Sequence, residues 1–298
     1  MLRILLVALA ICVGGYEGFG QLKKFYTVKN DVTFDTVNFS MKATSGTCFV
    51  KPSHHNDPVT IYGNPSLSDV NPTFTSDIKY TTNFVHLELE DYNQKGLSHA
   101  ITYNVFGSED GSEEKDFWKI YLTDQKIYNL NLTYGVGDNH INLSDLAVSR
   151  FKIQSGSADV NIHYDDKGMN RCQMDTFSVI VDLGNLVAQK MHLARAKNVI
   201  AEVGFGTAVL DFGEGVNSPC KVNASVGAGT LKIKIPENDF PAIIRFKSSP
   251  LCKYSLEQGF KEIEPDVYAN KSYSPKAENI MEFVIDVALG NITFEYIK

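Results

Sequence analysis

Few residues in this 298-residue chain have the type and spacing to do chemistry. His54-His55 followed by Asp57 is the densest cluster of metal-ligating side chains. A metal site needs three or four converging ligands, and adjacent histidines in a loop more often face water. Gly135-Val136-Gly137-Asp138 and Gly204-Phe205-Gly206 have the glycine density of a phosphate cradle. A dinucleotide loop needs a third glycine that opens a helix, whereas strand-like sequence follows both segments here. Calcium-binding β-rolls combine Gly and Asp in tandem nine-residue repeats, which a spacing near twenty excludes. A stray cation on Asp138 or Asp159 is the residual reading. His140, His163 and Asp211 share an outward parity, so stacking could bring some of them together; a polar surface ladder is the plainer expectation.

Glycoside cleavage needs clustered carboxylates, or one beside a basic residue. The acidic residues fall mainly in turns, notably Glu109–Asp116, where solvation accounts for them. Neither a Gly-x-Ser-x-Gly elbow nor a His-Glu-x-x-His pair occurs. One Trp offers no sugar-stacking platform, and several of the 14 Tyr fall on core parity. No catalytic, cofactor-binding or metal residue is assigned, and the chain is expected to be non-enzymatic with no cofactor.

The elements that would position these residues form a repeat. Gly135, Gly156, Gly184, Gly204, Gly227 and Gly290 align, and the positions one, three and five before each are mostly apolar: Leu130/Leu132/Tyr134, Phe151/Ile153/Ser155, Val179/Val181/Leu183, Val199/Ala201/Val203, Val222/Ala224/Val226 and Ile285/Val287/Leu289. Period-two alternation is the strand pattern with one face buried. Alternation resumes beyond the glycines at Ile141/Leu143, Ile162/Tyr164, Leu210/Phe212 and Ile233/Ile235. Gly184 fits only through Leu186 and Ala188, and the last repeat shifts to Ile292, Phe294 and Tyr296. Glycine tolerates the dihedrals of a tight corner between two strands. Stacked two-strand coils predict an all-β solenoid, with an antiparallel sandwich as the rival. One column, Ile141, Ile162, Leu210 and Ile233, is expected to point inward, with Asn142, His163, Asp211 and Lys234 outward beside it. Upstream, Val37/Phe39/Met41, Phe84/His86 and Trp118/Ile120/Leu122 alternate, while Asp91–Gly96 and Gly107–Asp116 read as turns. Pro250–Ala277, polar and with three Pro, reads as a surface excursion.

Met1–Gly20 reads as a secretory signal peptide: Arg3, an apolar run Ile4–Val13, then small residues Gly18 and Gly20 before an expected mature start at Gln21. The run is too short to span a bilayer, and no later segment is long and apolar enough. Lipidation at Cys12 is the alternative, against which the bulky Ile11 counts. The domain expectation is a signal peptide over 1–20 and one solenoid over 21–298. Export permits disulfides among Cys48, Cys172, Cys220 and Cys252. Cys220 and Cys252 form the candidate pair, with free buried thiols the alternative. A net charge of −7 excludes a nucleic-acid surface.

Trp118-Lys119-Ile120-Tyr121-Leu122, then Leu130-Asn131-Leu132-Thr133-Tyr134-Gly135-Val136-Gly137-Asp138, Ile141-Asn142-Leu143-Ser144-Asp145-Leu146 and the coil Phe151–Val160 together resemble the bacterial toast-rack domain. The resemblance runs over roughly Val32–Lys298, and Asn142 replaces the Asp usual in that family's turn. It implies a right-handed parallel β-solenoid outside a bacterial membrane, akin to the extracytoplasmic part of Lia-type envelope-stress regulators and to adhesin-like proteins. That family carries no agreed catalytic residues. This chain lacks the membrane helices of the Lia-type regulators, which counts against a direct part in membrane signalling.

Two functions follow. The first is a non-enzymatic exported envelope or surface protein, periplasmic or at the cell surface, acting by contact with an envelope or surface protein. The second is a carbohydrate-active enzyme or sugar-binding module on a parallel β-helix scaffold. A deep groove with converging carboxylates would favour the second, a flat polar ladder the first.

Overall fold

A computed structural model describes residues 24–64, 70–91, 117–216, 218–236, 240–248 and 252–297. The expected signal peptide, Cys12, the expected Gly107–Asp116 turn and residues 92–96 of the expected Asp91–Gly96 turn lie outside these residues, while Asp91 ends a strand. The chain forms β1 (Lys24–Val28), β2 (Thr36–Ala43), β3 (Thr47–Ser53), β4 (Val59–Asn64), β5 (Val70–Lys79), β6 (Thr82–Asp91), β7 (Phe117–Thr123) and β8 (Ile127–Tyr134). It continues with β9 (Asp138–Asn142), β10 (Ala147–Ser155), β11 (Asp159–His163), β12 (Met174–Val181), β13 (Asn185–Ala188), β14 (Ala196–Val203) and β15 (Thr207–Asp211). The remainder is β16 (Cys220–Val226), β17 (Thr230–Pro236), β18 (Ala242–Ser248), β19 (Lys253–Ser255), β20 (Lys261–Glu264), β21 (Val267–Ala269), β22 (Met281–Val287) and β23 (Asn291–Ile297).

These strands build an 11-stranded and a 12-stranded sheet, with the core between them. From β8 to β17 the chain alternates between the sheets, and each strand pairs in parallel with its counterpart one coil on. No such coil can bury its own apolar face, so the stack is the folding unit. Ile141, Ile162, Leu210 and Ile233 form one buried column, joined by Ala188 and Phe294. Asn142, His163, Asp211 and Lys234 lie outward and half-buried. Val37, Phe39, Met41, Trp118, Ile120 and Leu122 are buried as their alternation requires. The Phe84/His86 alternation marks the wrong face. Val85, Leu87 and Leu89 are buried and Phe84 is exposed, because residues paired in a parallel register share a face: Val85 pairs with the buried Phe39 and Leu87 with Met41, whereas Phe84 pairs with the outward Asn38.

Both ends break the simple winding order. At one end β2 inserts between β8 and β6, while β3 lies between β9 and β7. At the other, β22 inserts between β16 and β18, and β23 lies between β17 and β19. The physical last coil is therefore β18 and β19, and the final strands of the sequence are interior. Antiparallel strands cover the ends: β4 on β7, β1 on β4 and β5 on β6 at one, β21 on β18 and β20 on β21 at the other. Covering open strand edges blocks further edge-to-edge pairing. Within 252–277 the short strands β19 and β20 are exposed, although Tyr254 stacks on Phe246 (4.5 Å), while Val267 and Ala269 of β21 are buried.

At each regular coil a three-residue corner joins the 12-stranded to the 11-stranded sheet. Its hydrogen bonds run from coil to coil, such as Gly204 N–H to Val181 O (2.8 Å), Phe205 N–H to Asp182 O (2.8 Å), Gly227 N–H to Val203 O (2.8 Å) and Leu289 N–H to Gly227 O (2.8 Å). They sort the corner into three columns. The first holds Gly135, Gly156, Asp182, Gly204, Gly227 and Ala288; the third holds Gly137, Ala158, Gly184, Gly206, Gly229 and Gly290. Gly184 and Gly290 thus stand two residues later than the single-column alignment placed them. A two-residue slip preserves parity, so periodicity does not register it. Leu183 and Leu289 consequently leave the core and are 57% and 60% exposed.

Candidate functional site

The glycines of the corner are structural. In the third column a Cβ on Gly184, Gly206 or Gly229 would press into the carbonyl oxygen of the coil before it, at Ala158, Gly184 or Gly206 respectively. In the first column a Cβ on Gly156, Gly204 or Gly227 would meet the previous coil's carbonyl oxygen at 3.0 Å, tight but not impossible. Strands follow both Gly-x-Gly segments, so neither opens a phosphate-binding helix.

Cys48, Cys172, Cys220 and Cys252 are free thiols, and Cys220 is not bridged to Cys252. Cys220 pairs with Met281 at the start of β22, whereas Lys253 N–H bonds Gly290 O beyond that strand's far end. Six residue steps of strand, roughly 20 Å at the usual rise, separate the two levels. A disulfide tolerates a Cα separation below about 7 Å. Burial pushes the Cys48 and Cys220 thiols up to about 12, which removes them from thiolate chemistry.

His54 and His55 are exposed, and Asp57 is engaged elsewhere, accepting from Lys29 Nζ (2.8 Å) and Thr27 Oγ1 (3.1 Å). Those bonds hold its carboxyl below the usual range. His140 and His163 lie on adjacent strands but in different rows: His140 pairs with Asn161, His163 with Asn142. Burial of the ring lowers the His163 pKa, and the nearby His140, Lys190 and Lys51 charges add to this. Asp211 is two coils further on and caps its own turn, accepting from Gly213 N–H (2.8 Å). Asp138 and Asp159 both sit exposed at the corner. Among the described residues no three His, Cys, Asp or Glu side chains are placed to hold one metal ion.

A groove of about 570 Å³ lies on the 12-stranded sheet beside Gln173, Lys197, Asn198, Lys221 and Glu282. Its one carboxylate, Glu282, is held by Arg245 (3.3 Å) and Lys221 (4.0 Å). Paired charges characterise this sheet's outer surface: Lys42 bridges Glu88 (2.9 Å) and Glu90 (2.8 Å), and Arg150 meets Asp175 (3.5 Å).

The outer face of the 11-stranded sheet is different at its β1 end. Strand order β1-β4-β7-β3-β9 places Phe25, Tyr62, Lys119, Phe49 and His140 in one continuous row. Beside it, Thr60, Tyr121 and Lys51 form a second. The rings touch: Phe25 and Tyr62 at 5.0 Å between centroids, Tyr62 and Tyr121 at 5.8 Å edge-on, Phe49 and His140 stacked at 5.2 Å. Lys51 Nζ lies 5.1 Å from the Phe49 ring and Lys119 Nζ 4.6 Å from the Phe117 ring. Among the described residues neither lysine has a carboxylate within ion-pair distance, and no carboxylate stands in either row across these strands. Phe25 is 55% and Tyr62 43% exposed. Sequence order all but conceals this face, because its residues come from strands ordered out of sequence. The one local signal was outward-parity aromatics on successive strands.

Residues 71–178 match the family described as the N-terminal domain of toast_rack, DUF2154, so the toast-rack resemblance holds over that stretch. Among curated proteins none matches. Among solved structures, a candidate cell adhesion protein from Clostridium sporogenes is 14% identical, covers 92% of this chain and 99% of its own, and has a TM-score of 0.43. A candidate lipid-binding protein from Parabacteroides distasonis is 10% identical over 93% of this chain and 96% of its own, with a TM-score of 0.35. A candidate adhesin from Parabacteroides merdae is 13% identical over 93% and 95%, with a TM-score of 0.20.

Proposed function

We propose that this chain is a non-enzymatic exported envelope or surface protein that works by contact. In this reading residues 21–298 form one right-handed β-solenoid, and 1–20 direct it to the periplasm or cell surface. The observation that carries the proposal is the open aromatic and lysine face on β1, β4, β7, β3 and β9. Its two lysines have no carboxylate partner among the described residues and lie on rings of the same face, whereas Lys42, Arg150, Lys221 and Arg245 on the opposite sheet meet carboxylates. Exposed aromatic side chains on a rigid sheet are the residues that dominate contact energetics. The toast-rack match over 71–178 supports a place among envelope proteins.

The enzyme reading needs converging carboxylates. The groove offers Glu282 alone, already paired, so no observation favours catalysis there. Co-sedimentation with isolated bacterial envelopes tests the contact reading. The intact chain should sediment with them, and Tyr62→Ala combined with Lys119→Ala should leave it in the supernatant while its melting temperature is unchanged. Equal sedimentation of both proteins, or of neither, overturns the proposal.

A further inference from the structure

We infer that the aromatic and lysine face is a binding site for an anionic polysaccharide strand, an inference that rests on the contact reading above. The argument is first one of shape. Phe25, Tyr62, Lys119, Phe49 and His140 cross five adjacent strands in a row, which at the strand spacing extends roughly 19 Å. The face is a flat sheet surface, not a cavity, so it suits an extended polymer rather than a small ligand. Each step along the row is one strand, a spacing close to the advance of one sugar unit in an extended glycan. Phe25 with Tyr62, and Phe49 with His140, thus give two pairs of rings one strand apart, with the Lys119 ammonium on the step between them.

The second argument is charge. The chain carries −7 overall, yet Lys51 and Lys119 rise between the rings with no carboxylate partner among the described residues. Each ammonium lies against a ring instead, Lys51 against Phe49 and Lys119 against Phe117. A ring beneath an ammonium leaves its outward N–H donors free for a carboxylate or sulfate on the ligand. His140 ends the row next to Phe49 and adds a further N–H donor. Asp57, at the β1 end of the second row, is already bound by Lys29 and Thr27, and Asp138 and Asp159 stand at the glycine corner, off the two rows. Two lysines among five aromatic side chains are too few cations for a nucleic acid, which presents a phosphate at every nucleotide. They match a sugar polymer with a charge on some of its units.

The test is binding of the full chain to polygalacturonate by titration calorimetry, beside fully methyl-esterified polygalacturonate and single-stranded polythymidylate. Polygalacturonate should bind, and its binding should weaken as salt rises. Lys51→Ala with Lys119→Ala should weaken it about tenfold or more, and Tyr62→Ala by a similar factor. The methyl ester should bind more weakly than the acid, and polythymidylate more weakly than either. Polythymidylate binding as tightly as polygalacturonate would show a polyanion surface and overturn the sugar assignment. Absence of polygalacturonate binding also overturns it. If envelopes still sediment the intact chain and not the Tyr62 and Lys119 variant, the contact reading stands while the glycan inference falls. If neither assay responds, both fall.

Discussion

The two edges of the solenoid obey different rules. At the corner edge, three residues turn the chain mainly through backbone bonds, with Ser155 Oγ to Ala158 O (2.8 Å) added at one coil, and the same turn recurs from coil to coil. At the return edge, each loop differs in length and contents, and side chains complete the stack. Asn170 shows how. Its Oδ1 accepts Val148 N–H (2.8 Å), and its Nδ2 donates to the carbonyls of Val148 (2.8 Å), Cys172 (2.9 Å) and Ala194 (3.1 Å). One buried amide thus joins successive return loops, as strand backbone does elsewhere. Asn270 repeats the device near the far end, accepting from Ala242 N–H (3.1 Å) and donating to Phe240 O (2.5 Å). The third corner column is glycine in five coils of six, with Ala158 in the other; the return edge requires a particular side chain.

Substitution at the third corner column should have the largest effect. Gly206→Ala drives a methyl into the Gly184 carbonyl and should cost more than about 4 kcal/mol, in the range reserved for steric or buried-polar failure. Gly204→Ala, in the first column, should cost clearly less, because its 3.0 Å approach relaxes with a small shift. Equal losses in urea unfolding would erase the distinction between the columns. Ile162, 1% exposed and mid-strand, sets the scale for a site at neither edge. Ile162→Ala should cost about 2–5 kcal/mol, against a change within about 0.5 kcal/mol for the outward Lys234→Ala. A larger loss at Lys234 would mean the register is wrong.

At the return edge, Asn170→Ala strands the Val148 N–H and three carbonyls. It should destabilise by about 1–3 kcal/mol, the usual cost of a buried group left unpaired. Asn170→Asp should be no better, since the lost Nδ2 served three acceptors. A neutral Asn170→Ala would show that water or the backbone serves as well as the amide.

The smallest effect is one of pH, and it too falls at the return edge. Burial lowers the pKa of both His163 and His192. A histidine held below its unfolded value binds fewer protons folded than unfolded, so its contribution is full above pH ~6.5 and is lost as pH falls below that. The melting temperature should therefore drop between pH 7 and pH 5. His192→Gln should reduce the slope, and an unchanged slope would remove this histidine from the account.

The corner was legible because glycine is a strong signal and period two is hard to disguise. Gly135, Gly156, Gly204 and Gly227 fell in their true column. The failures at Gly184 and Gly290 have a local cause: Asp182 and Ala288 occupy the first position there, so the only glycine in view is two residues late. The misfits at Leu186, Ala188, Ile292 and Phe294 were the trace of that slip. Nothing local marked Asn170, since an asparagine in a polar loop resembles a solvated one until the coils stack. The contact face was hidden more deeply, because the row from Phe25 to His140 exists only once β3 has come to lie between β7 and β9.

The placement of β22 and β23 between coils already laid down has a mechanical consequence. A solenoid wound strictly in sequence order can be unzipped from a terminus, one coil at a time. Here a pull on the chain beyond Ile297 meets β23 clasped by β17 along Asn291–Ile297 on one side and by β19 on the other. Seven residue pairs must shear together before any coil is freed. The same geometry orders folding: β16 and β18 are synthesised before the strand that fits between them, so the far end closes only once β22 and β23 have been made. A stack closed in this way resists traction applied along the chain beyond β23.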